Sequence, residues 1–476
     1  MDDNRILLGG NGRSRVFLDL ATANRHGLIS GATGTGKTVS LQVLAEGFSR
    51  AGVPVFLADV KGDLSGIAAA GELSGKIRAR IERIGIDDFA PRAFPTLFWD
   101  VFGRCGHPVR VSVSELGPLL LSTLLELNET QTGVIYSAFK IADEEGLLLL
   151  DLKDLQSLLG WMRENRKELE GFGYLSPASL GAIQRRLLVL EEQGADRFFG
   201  EPALRLDDLM HADFFGHGAV SILDARALIQ SSPGLYAALL LWLLAELFET
   251  LPEVGDLEQP KLVLFFDEAH LLFKRAPKAL LDTIEQVVRL IRSKGVGVFF
   301  ITQSPLDLPD PVLGQLGCRI QHALRAFTPR DRQAVRVVAQ TFRSNPAIDA
   351  ERDISELGIG EALVSVLDEK GTPTPVERIL IRPPRSRIGP VEETVRNDRI
   401  ERSPLQGRYE ATVDRESAHE LLQQRAAHSV AVEPKPRRSG RQGVGEAFLK
   451  SAARSIGSQI GRQLIRGIMG ALLSRR

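Results

Sequence analysis

The sequence predicts an α/β protein built on a mainly parallel sheet, and three observations carry that prediction. Short apolar, β-branched runs alternate with longer helical patterns from residue 5 to about residue 381. Runs such as Leu262-Val263-Leu264-Phe265-Phe266 lack period-two polarity, as does a strand covered on both faces. Another run, ending at Ser30, leads straight into Gly31-Ala32-Thr33-Gly34-Thr35-Gly36-Lys37-Thr38, and a helical pattern follows from Val39 to Phe48.

Strands are expected at 27–30, 53–58, 109–113, 219–223, 262–266, 296–301, 320–323 and 362–367. Residues 1–113 then form the first part of a core and residues 216–381 the second. Between them, 114–215 is rich in Leu, Glu and Arg at helical spacing and offers no clear strand; it reads as a helical insertion hanging off the sheet. From 382 to 441 the composition turns polar and Arg- and Pro-bearing, which predicts a partly flexible linker. The last segment, 442–476, predicts a basic amphipathic helix. Phe448, Ala452, Ile456, Ile460, Leu464, Ile468 and Leu472 recur every four residues, and Lys450, Arg454, Arg462 and Arg466 keep that spacing on another face.

Composition excludes several classes. With 43% hydrophobic and 25% charged residues, the 476-residue chain is neither disordered nor fibrous. Its net charge of −1 hides an asymmetry: residues 435–476 carry ten Lys and Arg against Glu446 alone, a net of +9 that leaves −10 on residues 1–434. Two cysteines, Cys105 and Cys318, form neither a disulfide framework nor a four-cysteine zinc site, and fit a reducing compartment. The N-terminus has no basic region followed by an apolar one, so no signal peptide is expected. The most apolar window, 235–248, contains Trp242 and Glu246 and falls short of the roughly 20 residues a bilayer requires. A cytoplasmic protein with no transmembrane segment is the expectation.

The octapeptide 31–38 fits G-x-x-x-x-G-K-[ST]. Glycines at Gly31, Gly34 and Gly36, with Thr33 and Thr35 between them, let backbone N–H groups turn inward around a phosphate, and the following helix adds its positive end. Lys37 would reach the β- and γ-phosphates of ATP, and the Thr38 hydroxyl would ligate Mg²⁺. The run 262–266 ends in Asp267-Glu268, the pattern of a Walker B strand: Asp267 for the metal, Glu268 as general base for the attacking water. The next run ends in Thr302-Gln303-Ser304, so Gln303 is a candidate γ-phosphate sensor. Just before that run, Arg289 and Arg292 are either solvated helix arginines or groups that reach a neighbouring subunit's γ-phosphate.

These motifs stand in the order seen in the HerA–FtsK ATPases: 31–38, Ala58-Asp59-Val60-Lys61-Gly62-Asp63, Phe266-Asp267-Glu268-Ala269-His270, Arg292-Ser293-Lys294-Gly295-Val296-Gly297 and Ile301-Thr302-Gln303. Over nearly its whole length, including His26-Gly27-Leu28 and His322-Ala323-Leu324-Arg325-Ala326-Phe327-Thr328-Pro329, the chain resembles a bacterial HerA-like family. The resemblance implies a RecA-like P-loop NTPase core, assembly into a hexameric ring, and ATP hydrolysis coupled to movement along DNA. It implies that Arg292 acts in trans, and that Asp59 and Asp63 serve a subunit interface or the metal's surroundings. It also implies that the turn at Gly358-Ile359-Gly360 lies near the adenine. The β-barrel that precedes the core in archaeal HerA is expected to be missing, since Gly31 comes so early.

Two readings of function remain open at this point. One is a ring-forming, ATP-hydrolysing motor on double-stranded DNA, a translocase or helicase-like ATPase. The other is a nucleotide-switched ATPase that acts on or assembles a protein partner, with the C-terminal helix as its docking element. Against DNA stand the acidic bulk and the scarcity of aromatics, with three Trp and four Tyr. Arg325, Arg330 and Arg332 around Phe327 line either a pore or a subunit interface.

Overall fold

The structure, a computed structural model, describes residues 4–173, 175–255, 257–274 and 278–431. The segment 442–476, expected as a basic helix, lies outside the described residues.

One twelve-stranded sheet organises the chain. Its strands are β1 (Arg5–Gly10), β2 (Arg15–Asp19), β3 (Gly27–Ser30), β4 (Val55–Asp59), β5 (Thr96–Asp100), β6 (His107–Pro108), β7 (Val220–Asp224), β8 (Leu262–Phe266), β9 (Val296–Thr302), β10 (Cys318–Gln321), β11 (Glu361–Ser365) and β12 (Glu377–Ile381). The order is β2-β1-β12-β11-β10-β3-β9-β8-β4-β7-β5-β6. From β10 to β6 every neighbouring pair is parallel; β11, β12, β1 and β2 extend the sheet antiparallel. The central order β10-β3-β9-β8-β4 is that of a RecA-like P-loop NTPase, with one strand inserted between the P-loop strand and the Walker B strand.

Both faces of the parallel strands are covered, which is why their sequences do not alternate. Leu262, Leu264 and Phe266 of β8 enter one core, and Val263 and Phe265 enter the other. The second core lies under α1 (Lys37–Arg50), where Phe48 meets Phe299 edge-on and Phe265 at a tilt. The first core is shared with the helices α3 (Val113–Leu124), α4 (Glu129–Glu145), α5 (Leu152–Glu164) and α6 (Pro177–Leu190) and with the 18-residue α7 (Pro233–Thr250). These helices therefore do not hang off the sheet, as the sequence suggested; they are the cover of one of its faces. Helix α2 (Gly75–Ile84) flanks the antiparallel edge through Ile84 and Leu380.

Three other expectations change. Residues 109–113 are not a strand: Val111 makes a single bridge to Phe199, and Ser112 already caps α3. Helix α7 exceeds the apolar window read from the sequence. Among the described residues it alone is long and apolar enough to cross a membrane, and here Leu235, Tyr236, Leu240 and Trp242 are buried within the protein. The linker expected from 382 is folded as far as 428. Ser386 donates to Glu46 of α1 at 2.6 Å, Arg385 and Ser386 give their amides to the same carboxylate at 2.8 Å, and Tyr409 is fully buried. Arg415 grips Glu201 with two bonds of 2.6 and 2.8 Å, and a helix at Ala418–Ala431 packs on α5. Arginines in a polar stretch read as solvated from sequence; here Arg385, Arg396, Arg408, Arg415 and Arg425 each find a carboxylate on an earlier part of the chain.

His26 clamps the entry to β3. It stands at φ +61, its Nε2 donates to the Val288 carbonyl at 2.7 Å, and its Nδ1 accepts from the Val298 amide at 3.0 Å. Val288 lies on α8 (Lys278–Ile291), so one buried imidazole ties β3, β9 and the helix that carries Arg289. Burial lowers its pKa to about 4. The unfolded chain binds this proton near pH 6.5, so the stabilisation is complete above that pH and is lost as pH falls from 6.5 towards 4. The difference in urea midpoint between wild type and His26→Gln should therefore be largest at neutral pH and shrink on acidification to pH 4; a constant difference would contradict the neutral clamp.

Candidate functional site

The parallel pairing sends the C-terminal ends of β3, β9, β8, β4 and β7 to one edge of the sheet. Ser30 pairs with Thr302, Phe300 with Phe266, Phe266 with Ala58, and Asp59 with Asp224. Residues immediately after these pairs must gather there: Gly31 after β3, Asp267 after β8, Gln303 after β9. The edge is the crevice where open α/β sheets bind ligands.

The loop 31–38 turns on left-handed glycines, with φ of +148 at Gly31, +78 at Gly34 and +117 at Gly36. Gly31 also has no room for a side chain, because a Cβ there would stand 2.6 Å from the Cβ of His322. His322 is buried, donates from Nδ1 to the Glu361 carbonyl at 2.9 Å and accepts at Nε2 from Ser40 of α1 at 2.8 Å. Burial lowers its pKa to about 4, so it braces the loop as a neutral ring. The Thr35 hydroxyl donates to the Ala32 carbonyl at 2.7 Å, and the Thr35 carbonyl accepts from Gly360 at 2.9 Å, which brings the 358–360 turn against the loop. Thr33 and Gly34 face solvent. Helix α1 begins at Lys37, so Thr38 lies in its first turn with the positive helix end beneath the loop.

Lys37 is buried and folds back: Nζ donates to the carbonyls of Gly31 at 2.6 Å and Ala32 at 3.1 Å. Burial and Lys61 lower its pKa, while Asp267 and Glu268 pull the other way. Asp267 is 8% exposed, and burial raises its pKa to about 6. Its Oδ1 accepts from the Glu268 amide at 2.9 Å, and its backbone carbonyl accepts from the buried Tyr236 hydroxyl of α7 at 2.7 Å. Glu268 itself is left-handed, with φ +49, a strained setting for a residue with a side chain. The amide of Ala269 is donated to Ile301 of β9 at 2.9 Å, so this turn is tied to the strand that carries Gln303. Gln303 is exposed at the strand tip, which Asp307 fixes by accepting from the Thr302 hydroxyl at 2.6 Å and the Ser304 amide at 3.0 Å.

Lys37, Thr38, Asp267, Glu268 and Gln303 thus share one edge. Arg292 does not. It precedes the seven-residue β9 at the opposite edge, roughly 20 Å from the tip at about 3.3 Å per residue. There it is exposed and lines a cleft with Arg25, Arg289 and Arg319. Asp59, whose pKa burial and Asp63 raise to about 7, spends its carboxylate on the amides of Lys61, Gly62 and Leu64.

Three neighbours of the site escape sequence reasoning. Lys61 Nζ lies 3.8 Å from Glu268 Oε1, and His270 Nδ1 lies 3.4 Å from Oε2. Tyr236 is the third. The first two stand inside motifs already singled out, but nothing in their spacing shows which way they face. A tyrosine hydroxyl inside the apolar run of α7 was the visible signal for Tyr236.

Mg²⁺ takes oxygen donors and keeps most of its shell for water and phosphate. Among the described residues no group of three or more His, Cys, Asp or Glu could hold a metal ion. A Thr38 hydroxyl and an Asp267 carboxylate on one edge fit a cation shared with a nucleotide, and do not fit a resident metal cage.

Comparison with known proteins agrees with this geometry. The family model described as helicase HerA-like C-terminal matches residues 5–435 and 428–476. No curated protein matches the chain. Among solved structures, the plasmid coupling protein TrwB in complex with the non-hydrolysable GTP analogue GDPNP is similar at 15% identity and a TM-score of 0.52, over 79% of this chain and 94% of that one. The trigonal form of the bacterial conjugative coupling protein TrwB with sulphate gives 16% and 0.51, over 81% and 92%. VirB4 of Thermoanaerobacter pseudethanolicus gives 16% and 0.50, over 80% and 97%. At these identities the likeness is one of fold.

The crowding at Gly31 gives a direct test. Gly31→Ala meets both the left-handed φ and His322, and should weaken ATP binding at least about tenfold. Gly34→Ala has open space within 4 Å and should meet only the strain of the left-handed φ, about 1–2 kcal/mol. Titration with a fluorescent ATP analogue separates the two, and equal affinities would refute the brace.

Proposed function

Since the chain belongs to the helicase HerA-like C-terminal family, and is a P-loop ATPase and ATP-driven motor of the FtsK–HerA class, we propose that it is a ring-forming translocase on double-stranded DNA. One observation carries the proposal: Arg292 stands at the sheet edge opposite its own P-loop, so it completes a site only across a subunit boundary. Repeated around an axis, that relation closes into a ring, and a hexamer is the form we propose.

ATP would lie with its phosphates in the 31–38 loop, Lys37 leaving its two carbonyls for the β- and γ-phosphates. Thr38 and Asp267 would hold Mg²⁺, which when bound neutralises charge on the β- and γ-oxygens. Glu268 takes a proton from water as the water oxygen bonds to the γ-phosphorus, and ADP departs with the electron pair of the broken bond. Gln303, from the next strand, orients that water or the γ-phosphate. Arg292 of one subunit stabilises the negative charge that grows in its neighbour's site. The exposed Phe327, with Arg325 and Arg332 beside it, follows β10 at the nucleotide edge and is our candidate for contact with the DNA backbone. A cytosolic location follows from this role.

The acidic bulk of residues 1–434 favours the second reading, an ATPase that works on a protein partner through its C-terminal segment. Steady-state ATPase activity with and without duplex DNA, at low and moderate salt, decides between them. We expect a several-fold, salt-sensitive stimulation in wild type, and none in Glu268→Gln, which should bind ATP and not turn it over. Activity that depends on Glu268 but ignores DNA would overturn the translocase reading in favour of the protein partner. Mixing Lys37→Ala with Arg292→Ala subunits should restore part of the activity that neither variant shows alone; no recovery would count against action in trans.

A further inference from the structure

Lys61 has no part in the roles above, yet the fold is built to present it. β4 ends in Asp59, whose carboxylate accepts from the amides of Lys61 at 3.2 Å, Gly62 at 2.7 Å and Leu64 at 3.0 Å. Gly62 takes φ +82 beneath Arg226, whose guanidinium stands 2.8 Å from where a Cβ would be. The loop is therefore pinned from both sides, and it leaves the sheet next to β8, the strand that delivers Asp267 and Glu268.

The ammonium of Lys61 lies 3.8 Å from Glu268 Oε1, with its side chain 39% exposed against 13% for Glu268. The other carboxylate oxygen, Oε2, is buried and makes no hydrogen bond, with His270 Nδ1 3.4 Å away. Glu268 directly follows Asp267 in the chain, and neighbouring carboxylates repel each other. A general base in that setting needs an opposite charge to hold its carboxylate in one orientation. Lys61 is placed to supply it.

We propose that Lys61 is a positioning residue for ATP hydrolysis, holding the Glu268 carboxylate towards the attacking water. The inference rests on the reading of Glu268 as the base. It assigns Lys61 no contact with the nucleotide, so its loss should appear in turnover and not in binding.

The test compares full-length Lys61→Met and Lys61→Arg with wild type, measuring kcat and KM for ATP and affinity for a fluorescent ATP analogue. Lys61→Met should lower kcat about 10- to 100-fold, within the range general-base catalysis contributes, with KM and affinity within about threefold. Lys61→Arg should recover most of the rate, because it keeps the charge. Adding Lys61→Met to Glu268→Gln should cost nothing further, as expected of two residues acting through one group. Wild-type turnover in Lys61→Met overturns the proposal. So does a joint failure of both variants with lost nucleotide affinity, which would make Lys61 a structural part of the loop. Normal turnover in Glu268→Gln would instead remove the general-base reading itself, whatever Lys61 does.

Discussion

The parallel pairing of β3, β9 and β8 is the constraint on which the rest depends. A parallel ladder makes neighbouring strands end on the same side, so the groups that follow them have to meet. Because Ser30 pairs with Thr302 and Phe300 with Phe266, the phosphate loop, the Gln303 tip and the Asp267-Glu268 turn come out at one edge within a residue or two of register. The same pairing sends the strand beginnings, and Arg292 with them, to the far edge. Arg292 therefore lies at the far end of the sheet from the loop, the turn and the tip of its own chain.

Holding that edge together is a problem of charge. Asp59 and Asp224 end strands there and Asp63, Asp267 and Glu268 follow strands that do, and burial opposes ionisation of Asp59 and Asp267. The protein answers each carboxylate differently. Asp59 is met by backbone amides, Asp224 by Arg226 at 2.6 Å and by Arg396 from beyond the sheet at 3.4 Å, and Glu268 by Lys61. Asp267 accepts at Oδ1 from the adjacent Glu268 amide. Lys37, lacking a phosphate, rests on two carbonyls of its own loop. Polar groups in the crevice are thus either satisfied internally or aimed where a triphosphate and its cation would lie.

The helices over the other face have a mechanical consequence. They share one apolar core with β8 and β9, and α7 touches the Walker B turn directly through Tyr236. Residues 382–428 run from α1 to α5, fastening both layers with Glu46, Asp208 and Glu201 as anchors. The Walker B turn and α7 are thus joined by a buried hydrogen bond as well as by a shared core.

Local chemistry was legible in the sequence: the glycine spacing of the phosphate loop, the apolar run ending in two carboxylates, and the strand tip at Gln303. Each depends on residues adjacent in the chain, where backbone geometry alone sets what can meet. The strands β1, β2, β5, β6 and β12 were not read, because strands at or near a sheet edge differ little in pattern from loops. The packing of 114–215 on the sheet and of 382–428 on both layers was hidden for another reason: a polar stretch with arginines looks solvated until its carboxylate partners, hundreds of positions away, are brought close. Lys61 beside Glu268 and His322 behind Gly31 belong to the same class. Sequence by itself determined the nucleotide chemistry and the α/β class, since both are written in short-range spacing. Tertiary structure alone decided which charges face one another and that Arg292 points away from its own site, because those follow from strand order and direction, which no local pattern encodes.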